Sequence, residues 1–198
     1  MTKGAQTRQA ILRAAIRRFA REGFRATSVA DIARDAGVSG TLAFNYFPNK
    51  EALFLAAVDE DASGLIQLAV DHIHEFVGMH DWRATLLLTL VDAVDDHPLA
   101  KRLLGGLEPE VTARVLEIPA LEELRKVVGE RIRSEQLADF VRNDVDPVEL
   151  GSGLVSIFLS LLMSVVQLGR DTIVPYAPGV VAVIEAALLS PRQSGNKK

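Results

Sequence analysis

Apolar residues recur three or four positions apart along most of the chain, and no segment alternates apolar and polar residues as a half-buried strand does. The first helix that this spacing predicts ends near Gly23. Its apolar face consists of Ala10, Ile11, Ala14, Ala15 and Phe19. The same spacing continues in the later segments, so the pattern predicts an all-α fold.

Two short helices and a long one follow, each with a recognisable start. Ser28, with Asp31 three residues later, forms a capping-box-like start for the second helix, which a glycine ends. Ser39 can cap the third helix, which ends at Phe47 before a proline. Asn49 can cap a long fourth helix, whose first turn holds an acidic residue near the positive end of the helix dipole.

Proline and glycine divide the rest of the chain into further helices. We place them at residues 81–95, 98–104, 108–116, 119–136, 147–168 and 178–189. Asp146, Pro147 and Glu149 mark a clear start for the helix at 147–168. The predicted organisation is an N-terminal domain of three helices, residues 1–50, followed by a C-terminal helical domain, residues 51–198.

Nearly half of the 198 residues are apolar, which is enough to bury a sizeable core. The chain has no cysteine, which excludes disulfides, thiolate nucleophiles and cysteine-ligated metals and suits the cytoplasm. We recognise no secretory signal at the N-terminus. The apolar segment Leu154–Leu168 is shorter than the roughly 18 to 20 residues that cross a bilayer, so we interpret it as a buried helix and expect no membrane partner.

Basic residues concentrate near the N-terminus, although the whole chain has a net charge of −4. Residues 1–50 contain nine Lys or Arg and three Asp or Glu, a charge of +6, whereas residues 51–198 carry −10. This asymmetry predicts that the N-terminal part faces a polyanion. A basic helix face that is merely solvated is the alternative explanation.

Two short helices joined by a glycine turn, behind a basic first helix, form a helix-turn-helix pattern. Apolar residues pin the pair together and leave the outer surface of the third helix free to enter a DNA major groove, where small residues permit close approach. On this surface we expect contacts from Ser39, Gly40, Thr41, Phe44 and Asn45. Phosphate contacts are expected from residues near helix N-termini, a phenol and an ammonium, namely Thr27, Ser28, Tyr46 and Lys50.

Residues 7–60 resemble the DNA-binding region of TetR-type (tetracycline-repressor-like) bacterial regulators. The resemblance lies chiefly in "TSVADIARDAGVS", residues 27–39, and "FNYFPNKE", residues 44–51. It implies a homodimer that binds double-stranded DNA through the helix-turn-helix and uses the C-terminal domain to sense a ligand and to dimerise. Within the third helix, Gly40, Leu42 and Ala43 depart from the residues that many members carry. Base reading is therefore expected to depend on shape, methyl contact and Asn45.

Four serines recur every four residues along one face of the helix at 147–168: Ser152, Ser156, Ser160 and Ser164. Small side chains let a second helix approach closely. By the resemblance, the last two helices of each chain form a four-helix bundle across a two-fold axis. The last helix would then contribute an apolar face that includes Val180, Ile184 and Leu188. Serines that line a polar pocket, or that hydrogen-bond to the backbone four residues earlier, are the alternatives.

The resemblance gives only a general position for a ligand pocket, on the helices that line the cavity in similar proteins. The candidate residues are His72, Trp82, Thr89, Asp92 and Phe158. His72 and His74 are two positions apart, so they point to different helix faces and make a poor metal pair. The sequence contains no phosphate loop, nucleophile elbow or HExxH motif. We therefore predict no catalytic residues, no metal, no cofactor and no enzyme activity.

Together these patterns predict a homodimeric cytoplasmic transcriptional repressor that an unknown small-molecule effector releases from a pseudo-palindromic operator. A regulator of the same family that acts as an activator or as a protein-binding adaptor is one alternative. An all-helical carrier or enzyme that uses the C-terminal cavity is the other.

Overall fold

A computed structural model describes residues 2–75 and 82–189 of the chain, and its regular structure over these ranges is helical throughout. The first helices are α1 (Lys3–Ala26), α2 (Val29–Asp35), α3 (Gly40–Tyr46) and α4 (Lys50–Glu75). They are followed by α5 (Trp82–Ala93), α6 (Pro98–Leu104), α7 (Pro109–Val115) and α8 (Pro119–Leu137). The last helices are α9 (Pro147–Leu168), α10 (Arg170–Ile173) and α11 (Ala177–Leu188).

The predicted all-α fold is confirmed, and most helix boundaries lie within two residues of the predicted ones. Helix α9 begins and ends where the sequence pattern placed it, and Asp146 caps it by accepting hydrogen bonds from the amides of Val148 and Glu149 at 2.8 Å and 3.1 Å. The pattern missed α10 and the short 3-10 segments Val94–Asp96 and Val174–Tyr176. Segments of three or four residues are too short to show a hydrophobic period.

The chain folds into two compact units. The first contains Met1–Ile66 and Ala93–Ala120, and the second contains Gln67–Asp92 and Leu121–Lys198. The first unit therefore adds α6 and α7 to the helix-turn-helix, so the compact units do not divide at residue 50. The predicted domains, 1–50 and 51–198, stay a prediction about function.

The N-terminal helices pack around an aromatic cluster and are fixed by an ion pair. The ring of Phe54 on α4 lies edge-on to Phe19 and Phe24, with ring centroids 5.0 Å and 5.1 Å apart. Arg18 on α1 holds the carboxylate of Asp35 on α2 through two hydrogen bonds of 2.7 Å and 3.1 Å. These bonds lower the pKa of Asp35, so the pair remains ionised at neutral pH. Helix α2 is thereby held against α1.

Gly23 ends the regular part of α1 at a crowded junction, with φ of +84°. The buried carboxylate of Glu108 accepts hydrogen bonds from Arg102 Nε at 2.6 Å and from the amide of Phe24 at 3.2 Å. A Cβ atom at Gly23 would lie 2.6 Å from both Arg102 Nη2 and Glu108 Oε1. Only glycine therefore satisfies both the backbone conformation and the space at this point.

Helix α6 is joined to α4 by a second buried carboxylate. Asp61 on α4 accepts hydrogen bonds from the amides of Leu99 and Ala100, at 2.8 Å and 2.9 Å, and so caps the start of α6 from a distant part of the chain. Burial raises the pKa of Asp61, and the two amides oppose that rise. The long fourth helix thus fixes the position of α6 within the first unit.

In the second unit, α8 and α9 approach each other through glycine. A Cβ atom at Gly151 would lie 2.7 Å from the backbone nitrogen of Gly129, so the two backbones are nearly in contact. The fully buried indole of Trp82 donates to Glu135 on α8 at 2.8 Å, and Arg131 donates to the same carboxylate at 2.9 Å. Close backbone packing and this buried polar group together fix α5, α8 and α9 within the unit.

Candidate nucleic-acid interface

Side-chain caps build the turn between α2 and α3. The Ser28 hydroxyl accepts from the amide of Asp31 at 3.1 Å and donates to its carboxylate at 2.7 Å, which lowers the pKa of that carboxyl. Gly37 has φ of +70°, which allows the chain to reverse. Ser39 then accepts from the amide of Leu42 at 3.1 Å, which starts α3. The predicted caps of both helices are confirmed, and they fix the angle of entry into α3.

Helix α3 divides cleanly into a buried and an exposed face. Ala43 and Phe47 are buried in the core, as predicted. The ring of Phe44 is 49% exposed, and Thr41 and Asn45 are exposed beside it. At Gly40, a Cβ atom would meet no other atom within 4 Å. The residues predicted to face the groove therefore share one accessible surface, and their contact with DNA stays a prediction.

Thr27 does not lie on this surface. It is only 2% exposed, and its hydroxyl donates to the carbonyl oxygen of Gly23 at 2.8 Å. The phosphate contact predicted for Thr27 is therefore incompatible with its burial, because this hydroxyl closes the end of α1. Ser28 is exposed and remains the candidate at this helix start, and its hydroxyl would have to leave the Asp31 carboxylate to donate to a phosphate.

Lys50 has partners within the chain. Its ammonium donates to the carbonyl oxygens of Phe24 at 2.9 Å and Thr27 at 3.1 Å, with a weaker contact to Arg25 at 3.4 Å. It also lies 4.5 Å from the centroid of the Phe24 ring. An ammonium has three N–H donors, which matches the three carbonyl groups within reach of Lys50. The structure thus gives Lys50 a capping role at the end of α1, and a phosphate contact would require it to leave these acceptors.

Replacement of Lys50 by alanine is expected to lower the free energy of unfolding by about 1–2 kcal/mol, because three carbonyl groups lose a charged donor and Phe24 loses its cation. Thermal unfolding of the purified variant measures this effect. A phosphate role predicts a different result, in which stability is unchanged and the slope of DNA affinity against salt falls by about one unit. Lys126→Ala, which removes an exposed lysine of the second unit, is the control for both measurements.

The start of α1 lies beside the end of α3. The phenolic oxygen of Tyr46 would lie 3.4 Å from a Cβ atom at Gly4, and the guanidinium of Arg8 lies 5.3 Å from the centroid of the Phe47 ring. Lys3 and Arg8 are exposed here. Sequence reasoning missed these two cations as candidate phosphate contacts, because nothing local links positions 3–8 to positions 46–47. The basic composition of residues 1–50 was the only signal.

The predicted pocket residues in the second unit have partners within the chain. His72 Nε2 lies 2.9 Å from Thr85 Oγ1 and 3.2 Å from the carbonyl oxygen of Trp82. Thr89 donates to the carbonyl oxygen of Thr85, and Asp92 accepts from Arg170 at 2.7 Å. Phe158 and Trp82 are buried. Their assignment to a ligand pocket stays a prediction.

His72 is buried and His74 is exposed, as expected for residues two positions apart on a helix. Within residues 2–75 and 82–189, no three His, Cys, Asp or Glu side chains are grouped so as to hold a metal ion.

The serine face of α9 is accessible in the isolated chain. Ser156, Ser160 and Ser164 each donate to the carbonyl oxygen four residues earlier at 2.9 Å, which was one of the alternatives for this repeat. Ser156 and Ser160 are exposed. By length and composition alone, α9 is long and apolar enough to cross a membrane. Only 28% of its most apolar stretch is buried within the chain. The interpretation of this segment as a buried helix therefore holds only in part.

On α11, two of the three residues predicted at the interface are buried within the chain. Ile184 and Leu188 are only 9% and 4% exposed, because they pack inside the chain, and Val180 is half-buried on the same side. Val183 is 69% exposed on another side of the helix. The prediction placed the apolar row outward, although a row at four-residue spacing fits an internal contact equally well. Val183 marks the face that is open to a partner.

Comparison with known proteins agrees with this geometry. Residues 11–57 match the sequence model of the bacterial regulatory proteins of the tetR family. The chain is 35% identical over 95 residues to the transcriptional repressor AcnR of Corynebacterium diphtheriae, a match that covers 43% of this chain and about half of AcnR. It is 24% identical over 192 residues to the HTH-type regulator YdgC of Bacillus subtilis, which covers 95% of both chains.

The fold is also that of a solved regulator. The structure of FadR from Thermus thermophilus, a TetR-family transcriptional repressor in complex with lauroyl-CoA, superposes with a TM-score of 0.66 and 24% identity. The superposition covers 92% of this chain and 95% of that one. At this identity the likeness establishes the fold, with an N-terminal helix-turn-helix followed by a helical C-terminal region.

Proposed function

We propose that this chain is a homodimeric cytoplasmic repressor, which a small molecule releases from DNA. The premise is that it carries the DNA-binding domain of the tetR family of bacterial regulatory proteins. The observation that carries the proposal is the exposed surface of α3, which has a capped start and no structural partner for Phe44, Thr41 or Asn45 among the contacts of the described residues. A surface of this kind fits the major groove of DNA.

The charge of helix α1 favours DNA as the partner. Several basic residues of α1 are exposed, and four of them have no acidic partner within the part of the chain that the structure describes: Lys3, Arg8, Arg13 and Arg17. Such cations attract a polyanion and make affinity depend on salt. Phosphate contacts are proposed from Ser28 and Tyr46 as predicted, with Lys3 and Arg8 added.

The dimer is proposed to form through the open face of α9 together with Val183 of α11. Gly153 lies on this face, and a Cβ atom there would meet no other atom within 4 Å, so packing within the chain does not require glycine. Glycine in the middle of a helix costs about 1 kcal/mol relative to alanine. Gly153, Ser156 and Ser160 lie on one side of α9, and small residues there would let a helix of a second copy approach closely. That close contact would offset the cost of the glycine.

The effector is proposed to be a small molecule bound by the C-terminal region. The relative from Thermus thermophilus binds lauroyl-CoA, which shows that a protein of this fold can accept a small-molecule ligand. A typical coupling of about 1–3 kcal/mol would lower DNA affinity by roughly 5- to 150-fold. The chemical identity of the effector follows from mass spectrometry of the molecule that co-purifies with the chain.

Selection from a random-sequence duplex library, followed by footprinting of DNA beside the gene, tests the proposal. The full chain is expected to enrich an inverted repeat and to protect it, with affinity that falls steeply as salt rises. Asn45→Ala is expected to weaken binding to the enriched operator by about 5- to 150-fold, because one side-chain contact with a base, worth about 1–3 kcal/mol, is lost. Its thermal stability should be unchanged because Asn45 is exposed. Recovery of no preferred sequence at any salt concentration contradicts the proposal.

A further inference from the structure

The outer surface of α3 consists of two rows of unlike chemistry. Residues four apart on a helix lie one above the other. Gly40 and Phe44 therefore form one row, and Thr41 and Asn45 form the next. The first row offers only an open backbone position and an aromatic ring, whereas the second offers a hydroxyl and an amide. A major groove that fits this surface must present an apolar group opposite Phe44.

Phe44 contributes little to the core of its own unit. Half of its surface is exposed, and it takes part in none of the ring–ring or cation–π contacts found among the described residues. The rings of Phe19, Phe24 and Phe54 form the aromatic core without it. Burial of an aromatic ring is favourable in proportion to its apolar area. For Phe44, that burial is available only against a partner outside the chain.

Gly40 leaves the space through which such a partner reaches the ring. Its backbone is not in the left-handed region, and a Cβ atom would meet nothing within 4 Å. Neither the turn nor packing within the unit therefore requires glycine at this position, one turn before Phe44. A larger residue here would stand between the helix and the floor of the groove, so glycine allows a closer approach.

We propose that Phe44 contacts the C5-methyl group of a thymine in each half-site, so that the operator has an A·T pair opposite this ring. The inference rests on the proposed function. The thymine methyl is the apolar group that the four common bases present in the major groove. The adjacent Asn45 amide is suited to the N6 and N7 atoms of adenine, so A·T pairs are expected in the segment that α3 covers.

The experiment removes that methyl group and nothing else. The operator enriched from the random library is resynthesised with deoxyuridine in place of thymine, one position at a time, and affinity is measured by fluorescence anisotropy. One thymine in each half-site is expected to respond, with a loss of about four-fold per half-site, the value for one buried methyl group. The remaining thymines serve as internal controls.

Variants then assign the effect to the ring. Phe44→Ala is expected to weaken binding to the thymine operator and to make it insensitive to deoxyuridine. Phe44→Leu should keep part of the sensitivity, and Thr41→Ala, on the polar row, should keep all of it. Thermal unfolding verifies that each variant is folded, which is expected because both positions are exposed.

The possible failures are distinct. If the chain enriches no sequence, the proposed function fails before any thymine is tested. If an operator is found but no thymine responds, the ring meets a sugar or phosphate group and the methyl contact is overturned, while the proposed function stands. If Phe44→Ala remains sensitive to deoxyuridine, another residue reads the methyl group and the assignment to Phe44 is overturned.

Discussion

Replacement of Gly23 by alanine is expected to lower the free energy of unfolding of the first unit by about 3–5 kcal/mol and to abolish DNA binding at physiological temperature. The added Cβ would meet Arg102 Nη2 and Glu108 Oε1 at 2.6 Å, so one member of this half-buried pair must move. At Gly23, φ of +84° and ψ of 170° place the backbone in a region that is essentially restricted to glycine, so alanine adds strain of about 1–3 kcal/mol. Urea unfolding of the full chain, followed by circular dichroism, measures the loss.

Two other glycines of the same unit provide matched controls. Gly37 has φ of +70° but open space around its Cβ position, so Gly37→Ala should cost only the backbone strain of about 1–2 kcal/mol. Gly40 has neither feature, so Gly40→Ala should leave stability unchanged or slightly higher. Equal losses for Gly23→Ala and Gly37→Ala would show that the pair of Arg102 and Glu108 yields easily and does not lock the junction.

Gly153→Leu is expected to convert the proposed dimer to a monomer and to weaken operator binding by about 10²- to 10⁴-fold, because two linked half-site contacts become independent. The leucine side chain points into open space in the isolated chain, so the fold should persist. Across a close helix pair, the same side chain forces the backbones apart. Analytical ultracentrifugation measures the mass of the particle, and anisotropy measures the affinity.

Gly151, two positions earlier on the same helix, is the matched contrast. Its Cβ would lie 2.7 Å from the backbone nitrogen of Gly129, so Gly151→Ala should destabilise the second unit by about 1–3 kcal/mol through overpacking. Gly153→Leu should leave the unfolding free energy per chain nearly unchanged in the monomeric state. A Gly153→Leu protein that stays dimeric at low micromolar concentration would show that the interface lies on another face.

Several features of the helix-turn-helix were predictable from the sequence because they depend on residues that are close together in the chain. Ser28 and Ser39 cap the helices that follow them, and Ala43 and Phe47 are buried while Phe44 is exposed. A cap joins residues two or three positions apart, and the face of a short helix follows from its period of 3.6 residues. The local pattern was therefore sufficient for these residues.

Other assignments needed the folded chain. Lys50 was predicted to bind phosphate, yet its ammonium meets carbonyl groups at the end of α1, about 25 positions away in sequence. Thr27 was predicted on the same surface, yet its hydroxyl is turned into the unit. Ile184 and Leu188 face inward and Val183 outward, although all three are apolar. An apolar pattern predicts that one face of a helix is buried, but it does not distinguish burial within the chain from burial against a second chain.

The sequence by itself determined that this chain is all-α, where most of its helices begin and end, and that its basic N-terminal part carries a helix-turn-helix. These properties follow from interactions within one or two helical turns. Only the tertiary structure decided that Gly23 sits against a half-buried ion pair, that Lys50 closes α1, and that α9 keeps an open face. Each of these depends on contacts between segments far apart in the chain, which are fixed when whole helices dock and backbone and side-chain volumes must fit.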